Sequence, residues 1–220
     1  MASSENVPLP SLVPAVPAGS QIPPEPPQVA ARTLSVAARL LCGASTFFFL
    51  AFVFAYFYLR SLDQNHMWRP PHVKPDQGLG AAFVACIIVS AALAILAGRR
   101  MKAGSRAWLA PGVGAVVLGL AAVALQCVEY TSQSFGPTNG AYASVFCGWT
   151  GFYLIAVLAA MYWLETQVAT ELRARRSPAQ EVGDVHEPDR LIAPGLDAAV
   201  FYWSYIAAIG VLTYVVLYLL

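Results

Sequence analysis

Residues 121–165 read AAVALQCVEYTSQSFGPTNGAYASVFCGWTGFYLIAVLAAMYWLE. An apolar run carries a carboxylate at its exit, turns through Ser134-Phe135-Gly136-Pro137-Thr138-Asn139-Gly140, and gives way to a second apolar run at Tyr142. Hydrocarbon offers no water to an open backbone, so both runs are predicted to be spanning helices, and the Gly/Pro/Asn cluster between them a turn outside the bilayer. The stretch reads as a transmembrane helical hairpin, and the rest of the chain either repeats that element or joins copies of it.

The 220 residues are 58% hydrophobic and only 11% charged, with a mean hydropathy of +0.59. Charged residues run near a quarter in water-soluble domains, so this composition predicts an integral membrane protein. A net charge of +1 and a pI of about 7.7 give no concentrated basic patch, and nucleic acid is excluded as a partner. Cys42, Cys86, Cys127 and Cys147 all sit in apolar runs without CxxC spacing. They read as small packing residues rather than as a zinc site or a disulfide framework.

Residues 1–32 form the amino-terminal tail, with prolines at 8, 10, 14, 17, 23, 24, 26 and 27. That density removes donors and blocks helices, which predicts a disordered or polyproline-like segment. QIPPEPPQ could lie in an aromatic groove, but a solvated tail is the simpler reading. It is not a secretory leader, since no basic start or apolar stretch follows and Glu5 and Glu25 are acidic.

Residues 33–220 are predicted to be an all-α domain, a bundle of five transmembrane helices with spans at about 37–59, 78–98, 108–128, 142–164 and 198–220. Trp68 in the first loop suits the membrane interface, and Pro111 falls in the first turn of the third span. Thr166–Arg190 reads as a soluble loop, amphipathic over QVATELRARR and then acidic and turn-rich. With the amino terminus inside, Arg32, Arg39, Arg99, Arg100, Lys102, Arg106, Arg173, Arg175, Arg176 and Arg190 face the inside and only Arg60, Arg69 and Lys74 the outside. This asymmetry predicts amino terminus inside and carboxyl terminus outside.

The polar inventory of the spans narrows the chemistry. His66, His72 and His186 all lie in loops, so no span offers imidazole to haem, copper or zinc. The span interiors hold no Asp, Glu, Lys or Arg beyond Arg39 near one end, which argues against a self-contained ion or proton path. What remains is helix packing, for which Gly80-Ala81-Ala82, Ala91-Ala92-Ala94, Gly112-Gly114-Gly119 and Ala156-Ala159-Ala160 are suited. Glu129, beside Tyr130 at the outer end of the third span, has two open readings: a solvated interfacial carboxylate, or a polar anchor hydrogen-bonded to a neighbouring helix.

LQCVEYTSQSFGPTNGAYASVFCGWTGF resembles the signature of cytochrome c oxidase subunit III, with its LQ-x-x-EY helix end, Y-x-SVF re-entry and TGF step in order. LLCGASTFFFLAFVFAYFYLR is similar to that family's first shared helix, MWRPP to its outer loop, and LDAAVFYWSYIAAIGVLTYVVLYLL to its final helix. The resemblance covers about residues 33–220 and implies the five-helix form, without the two amino-terminal helices of the seven-helix form. It further implies a subunit that packs on the catalytic haem-copper subunit, binds lipid between its helices and supports proton uptake without a redox centre of its own. Three departures stand out. Ser45 or Thr46 takes the place of the family's buried glutamate, Tyr153 and Ala156 the places of its two histidines after TGF, and Ser204 the histidine after YW.

The expected protein is therefore a non-catalytic, cofactor-free subunit III in a bacterial inner membrane. Haem and copper would sit in partner subunits, with oxidase subunits I and II, phospholipids and, through the complex, cytochrome c as partners. Its complex would oxidise cytochrome c, reduce oxygen and translocate protons in aerobic respiration. Alternatives are an accessory subunit of a nitric oxide reductase or another divergent haem-copper oxidase, and, in a different class, a small transporter or channel. No catalytic or metal-binding residue is assigned. Candidate packing, lipid or partner contacts are Glu129, Tyr130, Arg39, Trp108, Trp163 and Trp203.

Overall fold

A computed structural model describes residues 26–63, 68–176 and 187–220. The chain forms helices α1 (Pro27–Ser61), α2 (Gln77–Lys102), α3 (Leu109–Ser132), α4 (Ala141–Arg176) and α5 (Glu187–Tyr214), with a 3-10 turn at Arg106–Trp108 and a π-turn at Val215–Leu219. All five helices are long and apolar enough to cross a membrane, as read from the sequence. Residues 1–25 and 177–186, which hold most of the proline-rich tail and the acidic part of the fourth loop, lie outside the described residues.

Three boundaries differ from the sequence reading, one of them at residues 187–190, assigned to the soluble loop but forming the start of α5. Residues 27–32, assigned above to the tail, are the first turns of α1. Pro27 occupies a position whose N–H would have no intrahelical partner, so its missing donor costs nothing there, and the alanines that follow favour the helix. The stretch Thr166–Arg176, assigned to a soluble loop, continues α4. Its inner side carries Val168 and Leu172 onto the core, and its polar side pairs Arg175 with Glu171 at 2.7 Å, one helical turn apart. With 35 and 36 residues, α1 and α4 are each about 50 Å long, well beyond a hydrocarbon core of about 30 Å.

α2 and α3 form the tightest antiparallel pair, and α5 lies against α1, α2 and α4. The pair is joined by a short basic turn in which Gly104 takes φ 70°, a backbone state open to glycine at no steric cost. Small residues make the close approach possible, with Gly80, Ala91, Ala94, Gly112, Gly119 and Ala160 all buried. A methyl on Gly119 would sit 2.9 Å from Met161 Sδ and 3.4 Å from the Trp203 ring, so α3, α4 and α5 meet there on a bare backbone. Ser90 adds the polar tie of the core, donating to the Ala115 carbonyl at 2.6 Å and accepting from Trp203 Nε1 at 3.1 Å.

The loops after α1 and α3 share one end of the bundle. Tyr142 N donates to the Trp68 carbonyl at 3.2 Å, and Arg69 stacks 4.6 Å above the Tyr142 ring. Trp68, read as an interface residue, is folded inward, edge-on to Tyr56 and Tyr142 at 5.2 and 5.7 Å. The carboxyl-terminal turn reaches this same end, where Gln77 Nε2 donates to the Tyr218 carbonyl at 3.0 Å. The turn between α2 and α3 occupies the opposite end, with Lys102 bonded to Asp197 at 2.6 Å.

Candidate functional site

Among the described residues no group of three or more His, Cys, Asp and Glu converges. The distinctive chemistry is instead a single buried carboxyl. Glu129, in the last turns of α3, is 0% exposed, so of its two readings the solvated carboxylate is excluded. Tyr218 Oη lies 2.7 and 2.8 Å from its two oxygens, and Gln126 Nε2 donates to Oε2 at 2.9 Å. Both partners are donors, so the carboxyl is held purely as an acceptor. Burial of an unpartnered carboxyl would cost several kcal/mol, which makes these donors a condition of the fold. The ion pairs Lys102–Asp197 and Arg175–Glu171 lie elsewhere.

Three features bring Tyr218 to Glu129. The π-turn at Val215–Leu219 widens the end of α5 by one residue per turn and re-aims its side chains. Carbonyls at this turn are then taken up from outside the helix, Leu217 O by the Tyr142 hydroxyl and Tyr218 O by Gln77 Nε2. Finally, Gly80 leaves a notch for the Tyr218 ring, since a methyl there would stand 2.5–2.8 Å from three ring carbons. The ring is also bracketed by Phe146 at 5.4 Å and Tyr214 at 5.2 Å. Glu129 thereby links α3 to the carboxyl-terminal turn, which α2 and α4 hold in turn.

The other residues singled out from sequence occupy distinct places. Tyr130 donates to Thr150 Oγ1 at 2.7 Å, a hydrogen bond from α3 to α4. Trp203 and Trp108 are buried within the bundle, the latter beside Gly112, so their contacts are intramolecular. Trp163 is half-buried against Tyr202, with ring centroids 6.4 Å apart. Arg39 is exposed, on the rim of a cavity of about 270 Å³ that Ser35, Pro194, Asp197 and Phe201 also line.

Of the positions at which this chain departs from the subunit III pattern, Ser45, Thr46, Tyr153 and Ser204 are engaged by neighbouring backbone or side chains, and Ala156 lines a groove between α1 and α4. Ser45 Oγ is 3.2 Å from Tyr202 Oη and Thr46 Oγ1 is 2.9 Å from Tyr205 Oη, two hydroxyl pairs across the α1–α5 seam. Tyr153 donates to the Ile206 carbonyl at 2.9 Å, filling the space above Gly210, where any Cβ would collide with its hydroxyl. Ser204 turns back to its own helix, donating to Val200 O at 2.7 Å. Gly80 was anticipated as a packing residue, whereas Gln126, Tyr218, Ser90 and Gln77 were not singled out. Gln126 alone carried a signal, since it precedes Glu129 by three residues and so shares its helix face.

The sequence matches the family described as cytochrome c oxidase subunit III over residues 28–220. It is similar to cytochrome c oxidase subunit 3 of Gallus gallus, 24% identical over 81% of this chain and 66% of the relative. The corresponding protein of Ornithorhynchus anatinus is 27% identical over 80% and 65%, and that of Mus musculus 25% over 81% and 66%. This chain thus spans a little under two thirds of the length of the relatives it matches. A match across nearly the whole helical domain, with the ordered motifs and the five apolar helices, places the chain in the cytochrome c oxidase subunit III family.

Proposed function

We propose that the chain is a non-catalytic scaffold subunit of a respiratory haem-copper oxidase, one that oxidises cytochrome c, reduces oxygen and moves protons. It stabilises the catalytic subunit, which with its redox partner subunit carries the haem and copper. The observation that supports this most directly is how its polar interior is used. At the positions where the resemblance leads one to expect ionisable groups, Ser45, Thr46 and Tyr153 hold neighbouring helices together, and Glu129 anchors the carboxyl-terminal turn. Hydroxyls so engaged are suited to packing rather than proton relay.

The orientation we propose, amino terminus inside and carboxyl terminus outside, rests on the ten-to-three distribution of basic residues. A cysteine introduced by Ser134→Cys then reacts with an impermeant maleimide from the outer face only. Lipid binding is supported by an apolar groove of about 300 Å³ between α1 and α4, lined by Ala44, Phe48, Phe152, Ile155 and Ala159. The membrane proposed is a bacterial inner membrane, which fractionation of the native cells checks.

Glu129→Ala tests the scaffold role. It is expected to loosen assembly with the partner subunits while the haem spectrum of whatever complex does assemble stays unchanged. A lost haem signal in intact complex would contradict that role. The replacement of the family's ionisable residues by Ser45 or Thr46, Tyr153, Ala156 and Ser204 favours one second reading, an accessory subunit of a nitric oxide reductase or another divergent haem-copper oxidase. Turnover of the isolated complex on oxygen or on nitric oxide separates the two.

A further inference from the structure

We infer that the bundle holds one internal water molecule beside the Glu129 cluster, bound by Gln126, Tyr153 and Thr213 and flanked by Thr150. A cavity of about 10 Å³ lies among these residues, lined on its other side by Gly80 and Phe83 of α2. A cavity of about 10–15 Å³ accommodates one water, provided two to four polar partners surround it. The space therefore suits one molecule and no more.

The polar lining has the complement of donors and acceptors that a water needs. Thr213 Oγ1 donates to Ile209 O at 2.8 Å, Tyr153 Oη to Ile206 O at 2.9 Å, and Thr150 Oγ1 to Phe146 O at 2.7 Å. Each hydroxyl has thus committed its single proton to a backbone carbonyl and presents lone pairs. Gln126 uses one amide hydrogen on Glu129 and has a second in hand. Thr150 Oγ1 also accepts from Tyr130 at 2.7 Å, so Tyr153 and Thr213 are left to accept the two hydrogens of a water and Gln126 to donate to it. Thr213, Thr150 and Gln126 are all at most 4% exposed, so bulk solvent is a poor substitute partner.

Such a water extends the polar seam. It joins the Glu129–Gln126–Tyr218 cluster to Tyr153 and Thr213, so that α3, α4 and α5 share one hydrogen-bonded network reaching inward from the carboxyl-terminal end. The missing side chains at Gly80 and Gly210, which also line the cavity, then serve to keep it open as well as to admit the Tyr218 and Tyr153 rings.

The test uses the full chain in its purified membrane complex. Infrared spectra are recorded in ordinary water and in water enriched in oxygen-18, for the natural sequence, Thr213→Val and Ser204→Ala. The expected result is an isotope-sensitive O–H stretch that is lost in Thr213→Val and kept in Ser204→Ala, whose hydroxyl bonds to Val200 O away from the cavity. A band that survives Thr213→Val, or no isotope-sensitive band at all, overturns the inference. Should the valine variant not assemble, a water-resolving density map of the natural complex decides. A peak within hydrogen-bonding distance of Gln126 and Thr213 upholds the site, and a featureless cavity refutes it.

Discussion

Replacing Tyr218 by phenylalanine removes one oxygen and leaves the ring in its notch over Gly80, between Phe146 and Tyr214. Packing is therefore nearly constant and the hydrogen bond to Glu129 is isolated. In protein interiors a bond to a charged group contributes about 1.5–3 kcal/mol, and a buried acceptor left without a partner costs about 1–3 kcal/mol. Inside membranes, coupling energies for such bonds average only about 0.6 kcal/mol and reach about 1.7, because the unfolded chain in lipid also finds partners. Glu129 is wholly buried and Tyr218 contacts both its oxygens, which places this pair at the upper end. Tyr218→Phe is expected to cost about 1.5 kcal/mol and to couple to Glu129→Leu by about 1 kcal/mol or more. Reversible unfolding in mixed micelles, followed by circular dichroism for the natural chain, the two single variants and the double, supplies all four corners of the cycle. A coupling below about 0.3 kcal/mol would show that Tyr218 does not satisfy the carboxyl, and the anchor reasoning would fail.

Gly80→Ala forces a methyl to within 2.5–2.8 Å of the Tyr218 ring and is expected to destabilise by about 1–3 kcal/mol through overpacking. Gly43→Ala, with nothing within 4 Å, is its control and should be neutral or slightly stabilising in the same melt. Ser90→Ala deprives Trp203 Nε1 of its acceptor and the Ala115 carbonyl of its donor, so a loss of about 1–3 kcal/mol is expected in thermal denaturation, against little change for the exposed Ser61→Ala. Thr46→Val and Tyr205→Phe, which each remove one half of an α1–α5 hydroxyl pair, should couple by only about 0.6 kcal/mol; a value several times larger would mean that this seam bears more of the fold than its geometry implies.

The architecture was legible because membranes leave the backbone few options. Five apolar runs had to be five helices, and the Gly/Pro/Asn cluster at 136–140 had to turn between two of them. Helix ends were read less well for a related reason. Outside hydrocarbon, amphipathic pattern and side-chain pairing decide, and Val168, Leu172 and the Arg175–Glu171 pair carry α4 past the last purely apolar residue. Glu129 was visible as an isolated acid at a helix end, but its two readings could not be separated locally. The deciding partner, Tyr218, is 89 residues away in sequence and reaches it only through a π-turn that no composition announces. Trp68 illustrates the same limit, since an aromatic residue near a boundary fits both an interface belt and an inward pin against Tyr142.

The central claim, that this subunit III family member is a scaffold for a haem-copper enzyme, is tested most directly by mild detergent extraction from native membranes followed by affinity capture of the full chain. The account predicts that a larger partner with haem absorbance comes away with it in a fixed ratio. Recovery of the chain alone, with no haem and no larger subunit, would contradict it.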